Sequence, residues 1–316
     1  MIRYTLHRLP SAVIVLFVAS IVVFFVLRLA PGDPALTLAG PDASAETVNA
    51  IRAQLGLDQP LPAQYLVWLV GVLTGDLGNS YILHAPIAEL IGNSLGNTVE
   101  LAAAAILLAL LLGGAMGFVL GTSRRRWVQS VVGGLNALAF AIPTYVTGVL
   151  LVLLFAVTIR LLPAGGQGPG LSDPSIGLQY LIMPAVALCL PTAAILARFL
   201  AAAMRQTLDE DFIQTGIAKG LSPKRLVVHH VLPNSMPPVL TILGLQIGQL
   251  LSGAIIVETI FAWPGVGQLL LQAVIARDFL LTQDLLLLAV FVFVVVQILT
   301  DFADAAIDPR VRLVRQ

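Results

Sequence analysis

Between Thr98 and Gly121 the chain reads TVELAAAAILLALLLGGAMGFVLG. A helix rises about 1.5 Å per residue and the hydrocarbon core of a bilayer is about 30 Å thick, so about 20 apolar residues suffice to cross it. This run is long enough. Working outward from it, six stretches qualify in all, near 9–29, 98–121, 130–159, 180–203, 237–260 and 284–305. A backbone in lipid must satisfy its own hydrogen bonds, so the fold class is an all-α integral membrane protein with six transmembrane helices. Pro143, Pro184 and Pro191 fall inside the third and fourth spans and are expected to kink them. Within the opening run, Gly113, Gly117 and Gly121 recur every four residues beside Gly114. That is a small-residue face for close helix packing, and it carries no chemistry.

The composition agrees. Of 316 residues, 58% are hydrophobic and 11% are charged, with mean hydropathy +0.94. A soluble domain would show about 25% charged residues, so a soluble enzyme is excluded, and so is disorder. Seventeen basic and seventeen acidic residues cancel, which leaves no bulk basic field for nucleic acid. The single cysteine, Cys189, sits in an apolar run and reads as an inert core thiol. The first span follows Arg3 and Arg8, but its apolar run from Ser11 to Leu27 exceeds a signal-peptide core, so it reads as an uncleaved helix.

Basic residues set the orientation. Arg3 and Arg8, Arg124 to Arg126, Arg205, Lys219, Lys224, Arg225, Arg310, Arg312 and Arg315 fall on one side, 12 in all, against Arg28, Arg52, Arg160 and Arg277 on the other, 4 in all. Both termini are therefore expected in the cytoplasm. Arg198, inside span four, is close enough to the inner interface to snorkel.

The external connection from Ala30 to Asn97 has helix signals. Ser44 can cap a helix with Glu46 in its first turn and Gly56 as its stop. Pro62 starts a second helix carrying Tyr65, Leu66, Leu69 and Leu73, and Pro86 starts a third. An ordered connection of this length is either functional or a passive lid. On the cytoplasmic side, Asp209, Glu210 and Asp211 precede a short helix with Ile213 and Ile217 on one face. Gly220 is a C-terminal stop, Ser222-Pro223 restarts a helix that carries His229 and His230, and Pro233 closes it. Asn234 and Ser235 would cap span five. Two capped helices around a glycine hinge read as a docking element, with a solvated connector as the alternative.

In span five, Gln246, Gln249 and Ser252 lie on one stripe beside Gly253. They belong to a translocation path or to interhelical hydrogen bonding. Glu258 is expected to reach water at the outer end. Asp301 and Asp304 read as interfacial groups rather than a proton relay. No phosphate-binding G-x-x-x-x-G-K-[ST], no H-E-x-x-H and no G-x-S-x-G occurs, and the adjacent His229 and His230 make a poor metal pair. Nothing supports catalysis. The scarcity of paired intramembrane charges and of internal repeats also argues against an ion-coupled secondary transporter.

The stretch from Asp211 to Ser222, closed by Leu232-Pro233, resembles the EAA loop of binding-protein-dependent ABC importer permeases, although the naming triad reads Gln214-Thr215-Gly216. Pro31-Gly32-Asp33-Pro34, Gly56 to Leu61 followed by Tyr65, Gly75 to Ser80, Ile142-Pro143-Thr144, Asn234 with Pro238, Glu258 to Phe261, Trp263 to Gly267, Arg277-Asp278 and Asp308-Pro309-Arg310 resemble, in order, the B-type membrane subunit of the dipeptide/oligopeptide/nickel family. The family often has tyrosine at Phe212 and Asp-Tyr-Pro at Asp278-Phe279-Leu280.

The resemblance implies a type I ABC importer permease fold in the bacterial inner membrane. It also implies an N-terminal helix plus external loop (1–96), a transmembrane core (97–305) and a cytoplasmic tail (306–316). The chain would form half of a peptide pathway with a second, homologous permease in a heterodimer. An external substrate-binding protein would deliver the substrate. ATP and Mg would be bound by two partner ATPase subunits or one fused ATPase, with no cofactor or metal in this chain. Nickel or another small solute is the alternative cargo. Asp211, Phe212, Gln214, Thr215, Gly216, Ala218, Lys219, Gly220, Leu221 and Ser222 would couple to the ATPase. Gln246, Gln249 and Ser252 would line the path, and Asp58, Tyr65, Asp76 and Asn79 would meet the binding protein.

Overall fold

The structure, a computed structural model, describes residues 2–29, 32–40, 42–170 and 173–307. The expectations for Pro31, the tail and Asp308-Pro309-Arg310, and for the side chains of Arg3, Arg8, Asp301 and Asp304, fall outside the described residues. Thirteen α-helices run in order among those described: α1 Ile2–Leu29, α2 Pro34–Ala39, α3 Ala45–Gln54, α4 Leu61–Thr74, α5 Ile87–Thr122, α6 Arg126–Ala141, α7 Thr144–Leu151, α8 Pro174–Leu208, α9 Asp211–Ala218, α10 Pro223–Leu226, α11 Leu232–Ile260, α12 Val266–Ala276 and α13 Phe279–Ile307. Two π-helical segments, Val152–Thr158 and Val227–Val231, extend α7 and α10. The only extended pairing among the described residues is one bridge between Asn79 and Pro86.

Five stretches are long and apolar enough to cross a membrane, and a sixth if the bent pair α6–α7 counts as one span. The third expected span is thus broken rather than kinked: its halves meet at 103°. Ile142 precedes proline and takes the extended backbone (ψ 121°) that proline imposes on its neighbour. By contrast, α8 runs through both Pro184 and Pro191 without a break.

The chain packs into two compact units, Met1–Thr98 with Pro264–Val295, and Val99–Trp263 with Val296–Gln316. In the second, α8 is the central helix and packs on α11, α6 and α7. The glycine stripe of α5 lies directly on it. A Cβ added at Gly113 would stand 2.7 Å from the Ala193 carbonyl oxygen, and one at Gly117 2.9 Å from that of Ala197. Asn136 of α6 donates to the Ala194 carbonyl at 3.0 Å, a polar tie between apolar helices. Arg205 donates to the Leu120 carbonyl and to Gln129, both at 2.8 Å, and so holds the α5–α6 turn.

In the first unit the expected caps are present. Ser44 Oγ accepts from Thr47 N at 3.2 Å, and Gly56 (φ +65°) ends α3. Asp33 caps α2, which the sequence reading omits although Asp33-Pro34 is a cap followed by a first-turn proline. Pro86 does not start a separate helix. The helix that begins at Ile87 continues as the span itself to Thr122. A core of Ile87, Ile91, Leu269, Ala273, Leu281 and Leu285 joins α5, α12 and α13.

Candidate functional site

The connection between α8 and α11 is built from caps. Glu210 is the N-cap of α9 and Asp211 lies in its first turn, where the helix dipole favours acids. At the other end Gly220 adopts φ +77°. Its N–H bonds the Ile217 carbonyl at 2.9 Å, and the Leu221 N–H bonds the Gly216 carbonyl at 3.2 Å. This pair is a Schellman closure, which needs a residue free to take the left-handed region. Ser222 then caps α10, its Oγ accepting from Arg225 N at 3.4 Å, with Pro223 at the first helical position.

Only half of the expected apolar face of α9 is buried. Ile213 and Gly216 are covered, whereas Ile217 is 55% exposed and Phe212 44%. At 100° per residue these two flank the buried edge, and the outward pole carries Asp211, Gln214, Thr215 and Ala218. The third letter of the Gln214-Thr215-Gly216 triad packs closely on α10: a Cβ on Gly216 would lie 2.7 Å from Leu226 Cδ1, the movable tip of a side chain. Lys219, Gly220 and Ser222 are exposed beside this pole.

Pro233 does not close the second helix. The π-helical segment Val227–Val231 carries α10 directly into α11. A wider turn accommodates a proline that lacks an N–H and crowds the carbonyl four residues back. Asn234 and Ser235 are accordingly not caps. Asn234 donates to the His230 carbonyl at 2.6 Å, and Ser235 donates to that of Val231 at 2.8 Å. Ser235 also pairs with Thr207 of α8 at 3.1 Å, which ties both ends of the connection together.

Along α11 the polar stripe divides. Gln246 is buried, while Gln249 and Ser252 are exposed and Gly253 lies against Leu188. Glu258 does not reach water; it is fully buried, as are Phe261 and Trp263 in the turn that folds back over it. That turn is held by Trp263 N bonding the Glu258 carbonyl at 2.8 Å and Gly166 N bonding the Phe261 carbonyl at 2.7 Å. Arg198 places its guanidinium over the Phe140 ring at 5.7 Å. Among the described residues no group of three His, Cys, Asp or Glu converges to hold a metal.

A model of the N-terminal part of the binding-protein-dependent transport system membrane component matches residues 1–104, and a model of the binding-protein-dependent transport system inner membrane component matches residues 109–313. The chain belongs to this permease family. A protein described as a probable peptide ABC transporter permease of Sinorhizobium fredii is 35% identical over 98% of this chain and 99% of its own length. A glutathione transport system permease of Salmonella choleraesuis is 36% identical over 99% of each. Among solved structures, inward-facing MetNI methionine ABC transporter superposes with a TM-score of 0.58 at 18% identity, covering 71% of this chain and 98% of that one. It shares the fold.

The four residues expected to meet a binding protein differ in exposure. Asp58 and Asn79 are exposed. Asp76 is exposed too, and accepts from Gly78 N at 3.2 Å. Tyr65 is committed to its own unit, with its hydroxyl 2.9 Å from Ser20 and its ring edge-on to Phe24 at 5.4 Å. Two buried carboxylates pin the segments between α1 and α5. Asp278 accepts from Ser80 Oγ at 2.6 Å, Ile82 N at 3.4 Å and Leu281 N at 3.2 Å. Asp284 accepts from Trp68 Nε1 at 2.7 Å. Burial, reinforced by the Asp278 charge, pushes the Tyr81 phenol above its ordinary range, and Arg28 works against that rise. Local patterning carries no sign of the Trp68–Asp284 pair, whose members are 216 residues apart.

Proposed function

We propose that this permease is half of the translocation pathway of an ATP-driven importer for short peptides, and that α9 is the element by which a partner ATPase moves it. The α9–α10 geometry carries this reading. Two helices closed by a Schellman turn and a serine cap form a rigid lever on which two large apolar side chains flanking the buried edge stay uncovered. A membrane protein gains nothing from Phe212 and Ile217 in water, and a groove on a partner would cover them. The peptide relatives supply the cargo class, glutathione itself being a small peptide. The distribution of basic residues supports a cytoplasmic side for both termini and for this lever. A second permease, ATPase subunits with their ATP and Mg, and an external binding protein complete the proposed importer, in keeping with the family match. Gln249 and Ser252 face away from this chain's own core, as path-lining residues of a half-channel must. Asp58, Asp76 and Asn79 form the exposed external set for the binding protein, with Tyr65 a support beneath them.

The test is Gly220→Val. A β-branched residue at φ +77° is strained by roughly 1–3 kcal/mol. Distortion of the lever should cut peptide uptake by the reconstituted complex while ATP hydrolysis persists. Normal uptake would reject the coupling role.

A further inference from the structure

The helix α4 carries no charged residue; its 14 positions read LPAQYLVWLVGVLT. One side of it is covered within its own unit. Trp68 is buried, with its indole N–H donating to Asp284 of α13 at 2.7 Å and its ring stacked on Phe24 of α1 at 6.0 Å. Tyr65, one turn earlier, meets Ser20 of α1 at 2.9 Å. The opposite side is bare. Leu66, Val70 and Leu73 recur at i, i+4 and i+7 and are 58%, 56% and 77% exposed. At 3.6 residues per turn they stand about 140–160° around the axis from Trp68. A row of large aliphatic side chains held in water is unfavourable, and it marks a surface that something apolar covers.

Two helices give the depth of α4 independently. The apolar span of α1 is Leu9–Leu29, 21 residues. Its length, about 31 Å, matches the thickness of a hydrocarbon core, so Leu29 marks one face of that core. Phe24 is then about 7.5 Å inside the face and Ser20 about 13 Å. The span of α13 is Phe279–Thr300, 22 residues. Its length is the same within one residue, so Phe279 marks a face as well, and Asp284 is again about 7.5 Å inside. Trp68 touches Phe24 and Asp284 together, and both helices put it at one depth. At about 21 Å, α4 is too short to cross. Asp58 before it and Asp76 after it are exposed charges, so both of its ends are at the water and the helix lies along the face. We infer that α4 is set into the membrane, with Leu66, Val70 and Leu73 against lipid acyl chains of the leaflet that meets the Leu29 end of α1. An amphipathic helix lying in a bilayer interface sinks by about 5–10 Å, the depth that both spans give. At the same level α1 is bare too, with Val22, Val26 and Leu29 exposed. The lipid contact holds the α1–α5 connection down on the bilayer, with Asp58 and Asp76 at headgroup level. It requires only a membrane-spanning chain and is independent of the cargo.

The experiment uses the assembled complex in phosphatidylcholine nanodiscs, with a nitroxide on Val70→Cys in a Cys189→Ser chain and cysteine-free partner subunits. Spin-relaxation measurements compare collision with oxygen, which concentrates in hydrocarbon, and with chromium oxalate, a charged complex excluded from it. Glu46→Cys, exposed on the polar helix α3, is the water reference, and Val22→Cys of α1 is the lipid reference. Val70→Cys should behave like Val22→Cys, with chromium oxalate collisions about 10-fold or more below those at Glu46→Cys. Leu66→Cys and Leu73→Cys should repeat the pattern. Chromium oxalate collisions as frequent as at Glu46→Cys would put the stripe in water and overturn the proposal. Low collision rates with both probes would show that protein, a second permease included, covers the stripe, and would overturn it equally. The wild-type complex gives a second reading in which folding is not in question. In nanodiscs doped with a phospholipid carrying a photoactivatable diazirine in its acyl chain, adducts should form on residues 66–73 as well as on 13–26. Adducts on 13–26 with none on 66–73 would refute the lipid contact.

Discussion

Replacing Gly113 by alanine should destabilise the permease, while the same change one residue later should stabilise it. The added Cβ at Gly113 would stand 2.7 Å from the Ala193 carbonyl oxygen and 3.1 Å from both Ala193 Cα and Leu196 Cβ. Ordinary contact begins near 3.4 Å, so α5 and α8 must part by 3.4 − 2.7 = 0.7 Å. The obstructing atoms belong to backbone and cannot rotate away. Overpacking of this kind costs about 1–3 kcal/mol. A Cβ on Gly114 meets nothing within 4 Å. There alanine only removes glycine's entropic cost in a helix, a gain of about 0.5–1 kcal/mol. Both variants share that propensity gain, so the difference between them isolates the packing cost, about 1–3 kcal/mol. The chain supplies its own reporter. Cys189 is the sole cysteine and is fully buried in α8, so a fluorogenic maleimide reacts only as the helices open. Thermal ramps of the purified chain in detergent should rank Gly114→Ala above wild type and Gly113→Ala below it. Gly113→Ala melting at or above Gly114→Ala would refute the close approach of α5 and α8.

Asp278→Ala should free the 78–86 segment. Ser80, Ile82 and Leu281 lose their shared acceptor, at about 1–3 kcal/mol for each buried donor left unpaired, and limited proteolysis there should accelerate severalfold. Asp33 gives a pH signature. Burial pushes its carboxyl up, but the hydrogen bond from Arg52, helped by the Ala35 N–H and the Arg52 charge, holds it below the usual value. A depressed carboxylate stabilises the fold above its unfolded pKa, about 4, and that contribution is lost as pH falls through the folded value. Cleavage in α2–α3 should therefore rise below about pH 4 in wild type but show no such step in Asp33→Asn. The pair is partly exposed, so the effect is modest and salt should reduce it.

Short-range signals decided much of this protein. Ser44 and Gly56 around α3, Ser222 and Pro223 before α10, and Gly220 after α9 all stand where a cap or a left-handed residue is needed. Each rule spans only a few residues, so it is complete in the sequence. The glycine stripe was equally legible, because a period of four is a property of one helix. The α9–α10 lever was legible on the same grounds, except that Ile217 faces outward. Helical spacing names a face, and only packing against Leu221 and Leu226 shows that its covered edge runs through Ile213 and Gly216.

Tertiary structure decided where one polar group meets another. Trp68 finds Asp284 and Ser80 finds Asp278 across 216 and 198 residues, and Glu258 is sealed beneath its own turn. Proline shows the same division. The sequence marks Pro143, Pro184, Pro191 and Pro233 alike as breakers, yet the chain bends by 103° at the first, runs unbroken through the next two and absorbs the last beside a π-helical segment. A missing N–H is a local fact. Whether a helix breaks there depends on what neighbouring helices offer the freed carbonyl and how firmly they hold both flanks, and that is known only once the helices are packed.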